Sequence, residues 1–446
     1  MIHPLLLRTL LAAALVGMFA GAPAPTLAAL QEFEQEDRYR VFLLTMDQGE
    51  EVWELFGHNA LVIRNESTGQ ELAWNWGLFD FDDVDFIPRF LRGTMLYSMG
   101  PAEVQPFLQA YARAGRRVYS NEVHLTQEEA RELDEFVRWN YLPENRDYIY
   151  DYFRDNCSTR IRDVLDGVLG GAIHQRFGDE PARWTYREQS RQLVQIVGWV
   201  DQGLSFLLGT RGDHPRTEWE AMFVPMRLLE LLEAMEVEEA DGGTRPLLGP
   251  REVVVDVPPP PTPPEPPSFA WIWLFLGLLG AAGLGAAGLA LRRGRGGARW
   301  VVGAVAVPWG LITGLLGALL VASWFTDHVF IHRNVNILYA SPLALILALA
   351  LVPALVRRVW WEGWPGRIAR WLAVVVALGS VLGLLLQLTG LVRQGNAEVV
   401  ALAAPINLAL AWAVLTAGRR SGKEDAVPAR EASGSPASDA SPDASP

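Results

Sequence analysis

Apolar and polar positions follow three rhythms along this chain. From Tyr39 to Met46, Gly57 to Arg64 and Leu72 to Gly77, the apolar runs are short and rich in strand-forming residues. They predict three strands, the last two joined as a hairpin through the turn at Asn65 to Gly69. A helical rhythm appears after Cys157, where Ile161, Val164, Leu165, Val168 and Leu169 make one apolar face. Asn156 or Asp155 suits the N-cap of that helix, and Gly170-Gly171 suits its stop. Two capping boxes, Thr126-Gln127-Glu128-Glu129 and Thr185-Tyr186-Arg187-Glu188, open further helices expected to reach about Asn140 and about Leu208. The third rhythm is continuous apolarity. Five stretches, about Phe269 to Leu291, Trp300 to Phe325, Val335 to Val356, Trp371 to Val392 and Val399 to Ala417, are each near the ~20 residues needed to cross a bilayer.

These rhythms divide the 446 residues into parts. Arg8, the apolar run from Leu10 to Ala20 and the small residues at Thr26, Ala28 and Ala29 read as a secretory signal peptide over residues 1–28. Residues 30–250 are polar, acidic and aromatic-rich, enough for one soluble domain with a sizeable core. A proline-rich linker over 251–268 reads as a stiff, extended spacer, 269–417 holds the five spans, and the Ser, Pro and Asp-rich tail over 418–446 reads as disordered.

Charge orients the spans. Arg292, Arg293, Arg295 and Arg299 follow the first, Arg357, Arg358, Arg367 and Arg370 the third, and Arg419, Arg420 and Lys423 the fifth, so those loops belong in the cytoplasm. The alternate loops, Thr326 to Asn334 and Arg393 to Glu398, then face outward with the soluble domain, as the export signal requires independently. The expected location is the bacterial inner membrane, with the N-terminal domain in the periplasm and the C-terminus in the cytoplasm. A net charge of −13 argues against nucleic acid as a partner.

Chemistry concentrates at Cys157, the single cysteine of the chain. A thiol at a helix start meets orphan N–H groups and the positive end of the macrodipole, both of which favour the reactive thiolate. The same position also suits a small buried hydrophobe or half of an intermolecular bridge. His58 opens its strand beside Gly57 and is a candidate base; alternatively it is a structural hydrogen-bonding residue. Asn75, between two tryptophans on the hairpin partner, is either an orienting group for the imidazole or a satisfied core amide. No zinc motif, phosphate-binding glycine loop or Gly-x-Ser-x-Gly elbow is present, and no metal or cofactor is expected. In the outward loop, Asp327, His328, His332, Arg333, Asn334 and Asn336 cluster where they suit either phospholipid headgroups or the underside of the soluble domain. A solvated connector is the plainer alternative.

The order Phe56-Gly57-His58-Asn59, Trp74-Asn75-Trp76-Gly77, and Pro143 through Asp155-Asn156-Cys157-Ser158-Thr159-Arg160 resembles the periplasmic domain of the Lnb-type lipoprotein N-acyltransferases. Asp327-His328 and Asn334 to Leu338 carry a weaker resemblance to that family's membrane half. The resemblance implies an α+β fold: a permuted papain-like, NlpC-type domain with added helices, followed by a five-helix transmembrane domain. It further implies Cys157 as nucleophile, His58 as base, a membrane phospholipid as acyl donor and diacylated lipoproteins as acceptors. A thiol amidase or peptidase, or a phospholipid hydrolase, would use the same pair. In a non-catalytic membrane receptor or scaffold both residues would be structural.

Overall fold

The computed structural model describes residues 37–80, 82–239, 242–356 and 363–417; the expected signal peptide and tail lie outside the described residues. In the N-terminal part, β1 (Tyr39–Met46), β2 (His58–Asn65) and β3 (Glu71–Leu78) form where short apolar runs meet turn formers. They are followed by α1 (Phe86–Arg92), β4 (Leu96–Glu103), α2 (Val104–Arg113), β5 (Val118–Val123), α3 (Gln127–Asn140) and β6 (Asp147–Ile149). Then come α4 (Cys157–Val168), α5 (Ala172–Phe177), α6 (Tyr186–Val194), α7 (Gly198–Leu207), α8 (Glu218–Ala221), α9 (Pro225–Glu233), the small pair β7 (Glu236–Glu238) and β8 (Thr244–Pro246), and β9 (Glu252–Val255). One seven-stranded sheet runs β6-β4-β3-β2-β1-β5-β9, every neighbouring pair antiparallel.

Alternating side chains give this sheet two buried faces. Leu43, Leu61, Ile63, Trp74 and Trp76 pack with Leu133 and Val137 of α3, Ile161 and Leu165 of α4 and Leu228 of α9. Leu44, Met46, Ala60 and Val62 point the other way, against Phe107, Leu108 and Tyr111 around α2. Truncating a fully buried leucine such as Leu61 or Leu165 to alanine would cost about 2–5 kcal/mol.

Five apolar helices follow: α10 (Ala270–Arg292), α11 (Ala298–Ser323), α12 (Leu343–Val356), α13 (Trp364–Leu388) and α14 (Ala397–Ala417), with apolar stretches long enough to span a membrane. Small residues let them approach. A Cβ on Gly310 of α11 would stand 2.8 Å from the carbonyl oxygen of Ala344, so backbone meets backbone there.

Four expectations change. The helix after Thr185 is two helices, α6 and α7, interrupted at Gln195–Val197 just before Gly198. The soluble domain extends past residue 250, because β9 pairs with β5. The proline segment is no free spacer: Gln192 Nε2 donates to the carbonyls of Pro263 and Pro264 at 3.2 Å each, and Arg183 pairs with Glu265 at 2.5 Å. The third apolar stretch opens as a 3₁₀ turn at Val335–Leu338, and its helix starts only after Pro342. A proline cannot continue a hydrogen-bonded turn, and the preceding asparagines are held by the domain.

Candidate active site

The six residues Asp155 to Arg160 build a rigid helix start around the thiol. Asn156 is the N-cap, its Oδ1 accepting from Ser158 N and Thr159 N at 2.9 Å each. Its Nδ2 donates to the carbonyls of Tyr152 at 3.0 Å and Phe223 at 2.9 Å. The Thr159 hydroxyl returns the cap, accepting from Asn156 N at 2.8 Å, and the Ser158 hydroxyl donates to Met222 O at 2.7 Å. Asp155 takes the fork of Arg160, whose guanidinium lies 4.1 Å over the Tyr148 ring. Every polar neighbour of Cys157 is thus committed to geometry, and the thiol sits 9% exposed at the first turn of α4.

His58 reaches it from the sheet. Gly57, at φ +80°, turns the chain into β2; a Cβ there would meet Met46 O at 2.8 Å, so glycine is required. His58 then stands, half-buried, at the end of β2 opposite Met46. Its Nε2 donates to Asn75 Oδ1 of β3 at 2.5 Å, while the ring also hydrogen-bonds the Cys157 thiol. With Nε2 taken by Asn75, Nδ1 is the ring nitrogen left for the sulfur. Gly77, at φ +97° where the β3–β4 register shifts, keeps the space beside the pair open: a Cβ there would lie 3.8 Å from His58 Cε1 and 3.9 Å from Cys157 Cβ.

Electrostatics sets the protonation state. Burial pushes the Cys157 thiol up, but the charge and hydrogen bond of His58, with the N–H groups of Asn59 and Ser158, outweigh it and hold the thiol below its usual range. Burial pushes the His58 imidazole down, yet the Cys157 charge, its hydrogen bond and Asn75 raise it above the ordinary value, against the opposing charge of Arg116. The two shifts agree: each partner favours the charged form of the other. Both shifts favour a thiolate–imidazolium pair, the reactive form of a thiol nucleophile.

Three neighbours escaped the sequence. Arg116, 5% exposed, donates to Asp47 O at 3.0 Å, lies 5.0 Å over the Tyr111 ring and acts through its charge on His58. Tyr150 stacks on Tyr97 at 4.3 Å and packs against the core cluster that contains Cys157. Gly77 shapes the opening. A Tyr-x-Tyr-x-Tyr alternation over Tyr148, Tyr150 and Tyr152 was the one available signal.

The outward-loop residues do not join the pair; they fasten the two halves. Asn334 Nδ2 donates to the carbonyls of Phe206 and Leu207 at 2.9 Å each, and Asn336 Nδ2 to Phe206 O at 2.8 Å. Both are buried, at 4% and 0% exposure, so their amides serve the underside of the domain rather than a headgroup. Asp327 N donates to Arg92 O at 2.7 Å and His328 Nε2 to Phe90 O at 2.7 Å, tying the loop to α1. His332 turns inward onto Ser323 O and Thr326 O at 2.9 and 3.0 Å. A buried Arg191 bridges Asp201 and, at 2.9 Å, Glu398 of α14. Phe330 meets Phe153, four residues before the thiol, at 4.5 Å, so the membrane half touches the segment that leads into α4.

A thiol–histidine domain seated on a five-helix membrane bundle defines the class. Residues 28–192 match the Lnb N-terminal periplasmic domain and residues 296–416 match the Lnb transmembrane domain. Together these matches cover well over half of the chain, which belongs to the Lnb family. Searches of curated proteins and of solved structures returned no match. Membership suggests a membrane-bound enzyme of lipoprotein processing, and a periplasmic domain with five spanning helices fits an inner-membrane protein.

Proposed function

We propose that this protein is a lipoprotein N-acyltransferase. Residues 30 to about 257 are its periplasmic catalytic domain, residues 269–417 its membrane domain, and its C-terminus lies in the cytoplasm. The observation that carries the reading is the Cys157–His58 pair, in which each group favours the charged form of the other, in a domain tied to a loop joining two apolar helices. Cys157 Sγ attacks the ester carbonyl of a phospholipid; the S–C bond forms, the C–O bond breaks, and His58 delivers the thiol's proton to the departing lysophospholipid oxygen. The α-amine of a diacylated lipoprotein cysteine then attacks the thioester, the amide forms, and its proton passes through His58 to the sulfur. The N–H of Cys157, at the start of α4 where the Asn156 side chain caps Ser158 and Thr159, stabilises the oxyanion of each step together with Asn59 N–H. Asn75 keeps the imidazole turned toward the sulfur.

Mass spectrometry of a lipoprotein N-terminus, with the intact protein and with Cys157→Ala, tests this. Expected is an added N-acyl chain only with the intact protein, together with an acyl thioester on Cys157 when acceptor is withheld. Free fatty acid without N-acylation would indicate a phospholipid hydrolase. Cleaved wall peptide would indicate an amidase, and turnover of neither kind a receptor or scaffold.

A further inference from the structure

Helix α1 and the residues before it expose apolar side chains that the reaction above does not use. Val84 is 89% exposed, Ile87 61% and Leu91 63%. Scattered exposed aliphatics need no explanation, but these three lie within eight residues on one element. The element's height is fixed by its contacts. Asp327 N and His328 Nε2 bond to the carbonyls of Arg92 and Phe90, and Asp327 follows directly on Trp324 and Phe325, 53% and 86% exposed, at the end of α11. Exposed aromatic residues at the end of a spanning helix mark the membrane–water interface. Helix α1 is therefore held at the level where lipid begins. Arg89 is paired with Asp83 at 2.8 Å and Asp85 at 3.6 Å, which leaves one net negative charge on its polar side.

Under α1 a cavity of about 250 Å³ has one wall of Leu78, Phe79, Phe86, Leu96 and Tyr97 and a polar rim of Asp80, Asp83, Arg89 and Asp147. Its rings continue inward: Phe86 to Phe79 at 6.0 Å, Phe79 to Tyr97 at 5.0 Å, Tyr97 to Tyr150 at 4.3 Å. Tyr150 packs against the cluster containing Cys157, and Leu78 adjoins Gly77 beside the thiol. An apolar row thus runs from the interfacial helix to the nucleophile.

We propose that α1 is the lip through which the site draws a phospholipid from the outer leaflet: Val84, Ile87 and Leu91 seat among lipid, and the acyl chain passes along Phe79 and Tyr97 to Cys157. This deepens the acyl-transfer reading and rests on it for the role of Cys157. Seating needs no charge, since burial of three aliphatic side chains in hydrocarbon is favourable by itself.

Two measurements on the full chain in phosphatidylethanolamine–phosphatidylglycerol vesicles test it. The lone cysteine makes the first simple. In a Cys157→Ser background, Ile87→Cys carrying a maleimide-linked fluorophore should be quenched by doxyl-labelled lipid, whereas Thr68→Cys, at the opposite end of the sheet, should not. In the second, acylation of Cys157 is followed by mass spectrometry with vesicle phospholipid or with water-soluble p-nitrophenyl butyrate as donor. The double variant Ile87→Asp, Leu91→Asp should lower acylation from vesicles at least tenfold and change that from the soluble ester less than twofold. An unquenched probe, or vesicle acylation at the wild-type rate, overturns the lip. Equal loss with both donors also overturns it, because α1 would then be a structural prop. If wild-type Cys157 takes acyl groups from neither donor, the acyl-transfer reading fails, while quenching still decides whether α1 sits in lipid.

Discussion

Two of the buried polar clusters in this molecule spend their hydrogen bonds differently. Between the halves, Asn334 and Asn336 meet backbone carbonyls, Gln394 Nε2 donates to Asn334 Oδ1 at 2.8 Å, and Asn396 Nδ2 to Asn336 Oδ1 at 2.5 Å. Those amides serve one another and the chain, so nothing remains to react. At the end of β2 the caps around Cys157 are equally committed, but the thiol and imidazole bond to each other, to Asn75 and to two N–H groups. A saturated cluster fixes position, whereas a cluster with one exchangeable proton has chemistry.

The largest break in that contrast is removal of the exchangeable pair. Cys157→Ala and His58→Ala should each lower acyl transfer by at least about 10³-fold, since residues acting as a unit fail together. Thermal melting should move by less than about 3 °C, because the caps of α4 belong to Asn156 and Thr159. Transfer retained within tenfold of wild type in Cys157→Ala would remove the mechanism.

Titration of the thiol comes next. Since the Cys157 pKa is lowered and burial alone would raise it, alkylation by iodoacetamide should stay fast below the pH where a free thiol ionises, and fall only as acid reprotonates the sulfur. His58→Ala removes the main lowering influence and should carry the midpoint upward, slowing alkylation at pH 7 by about tenfold or more, because one pH unit is tenfold in thiolate. Transfer should also decline on the alkaline side, where the raised His58 pKa is passed and the imidazolium loses the proton it must donate. A midpoint unchanged by His58→Ala would separate the two residues.

Asn75 sharpens the comparison from inside the reactive cluster. Losing its carbonyl should lower transfer about tenfold, through ring orientation. In Asn75→Asp a carboxylate replaces the amide and should move the alkaline limb to higher pH by favouring imidazolium. A uniform loss with the pH profile unmoved in both variants would make Asn75 a core amide only.

What the sequence disclosed follows the same division. Strands β1 to β3 and the start of α4 were legible because alternation, helical period and an Asn cap are written within a few residues of each other. Cys157, His58 and Asn75 were named by residue chemistry and by likeness to the Lnb family, and the sheet brings them together. The docking cluster was legible as one of several alternatives, the underside of the soluble domain, but its acceptors were not. Asn336 finds Phe206 O across 130 residues of chain, and a backbone carbonyl leaves no trace in the sequence of its donor's partner. Strand β9 was hidden beside the prolines, as a four-residue edge strand carries little periodicity of its own. The bulge at Gly77 depends on register, which only pairing to β4 defines.

The smallest expected effect lies in the docking cluster, and it tests whether position matters to the chemistry at all. Removing the Asn336 side chain leaves Asn396 Nδ2 without its acceptor in a buried place and takes one of two donors from Phe206 O, a local cost of about 1–3 kcal/mol. The seat does not depend on that amide alone: Arg191 still bridges to Glu398, Gly209 N still donates to Phe330 O at 2.7 Å, and Asn334 still holds Leu207 O. The domain should therefore loosen rather than detach. Transfer from vesicle phospholipid should fall about threefold to tenfold in Asn336→Ala, while alkylation of Cys157 by a small reagent stays within twofold. Amide exchange over residues 204–213 should rise in the same variant, which a headgroup-binding role for Asn336 would not produce. Unchanged exchange with impaired transfer would return Asn336 to lipid recognition. Slower alkylation would mean that the two clusters are not separate devices and that the membrane half tunes the thiol itself.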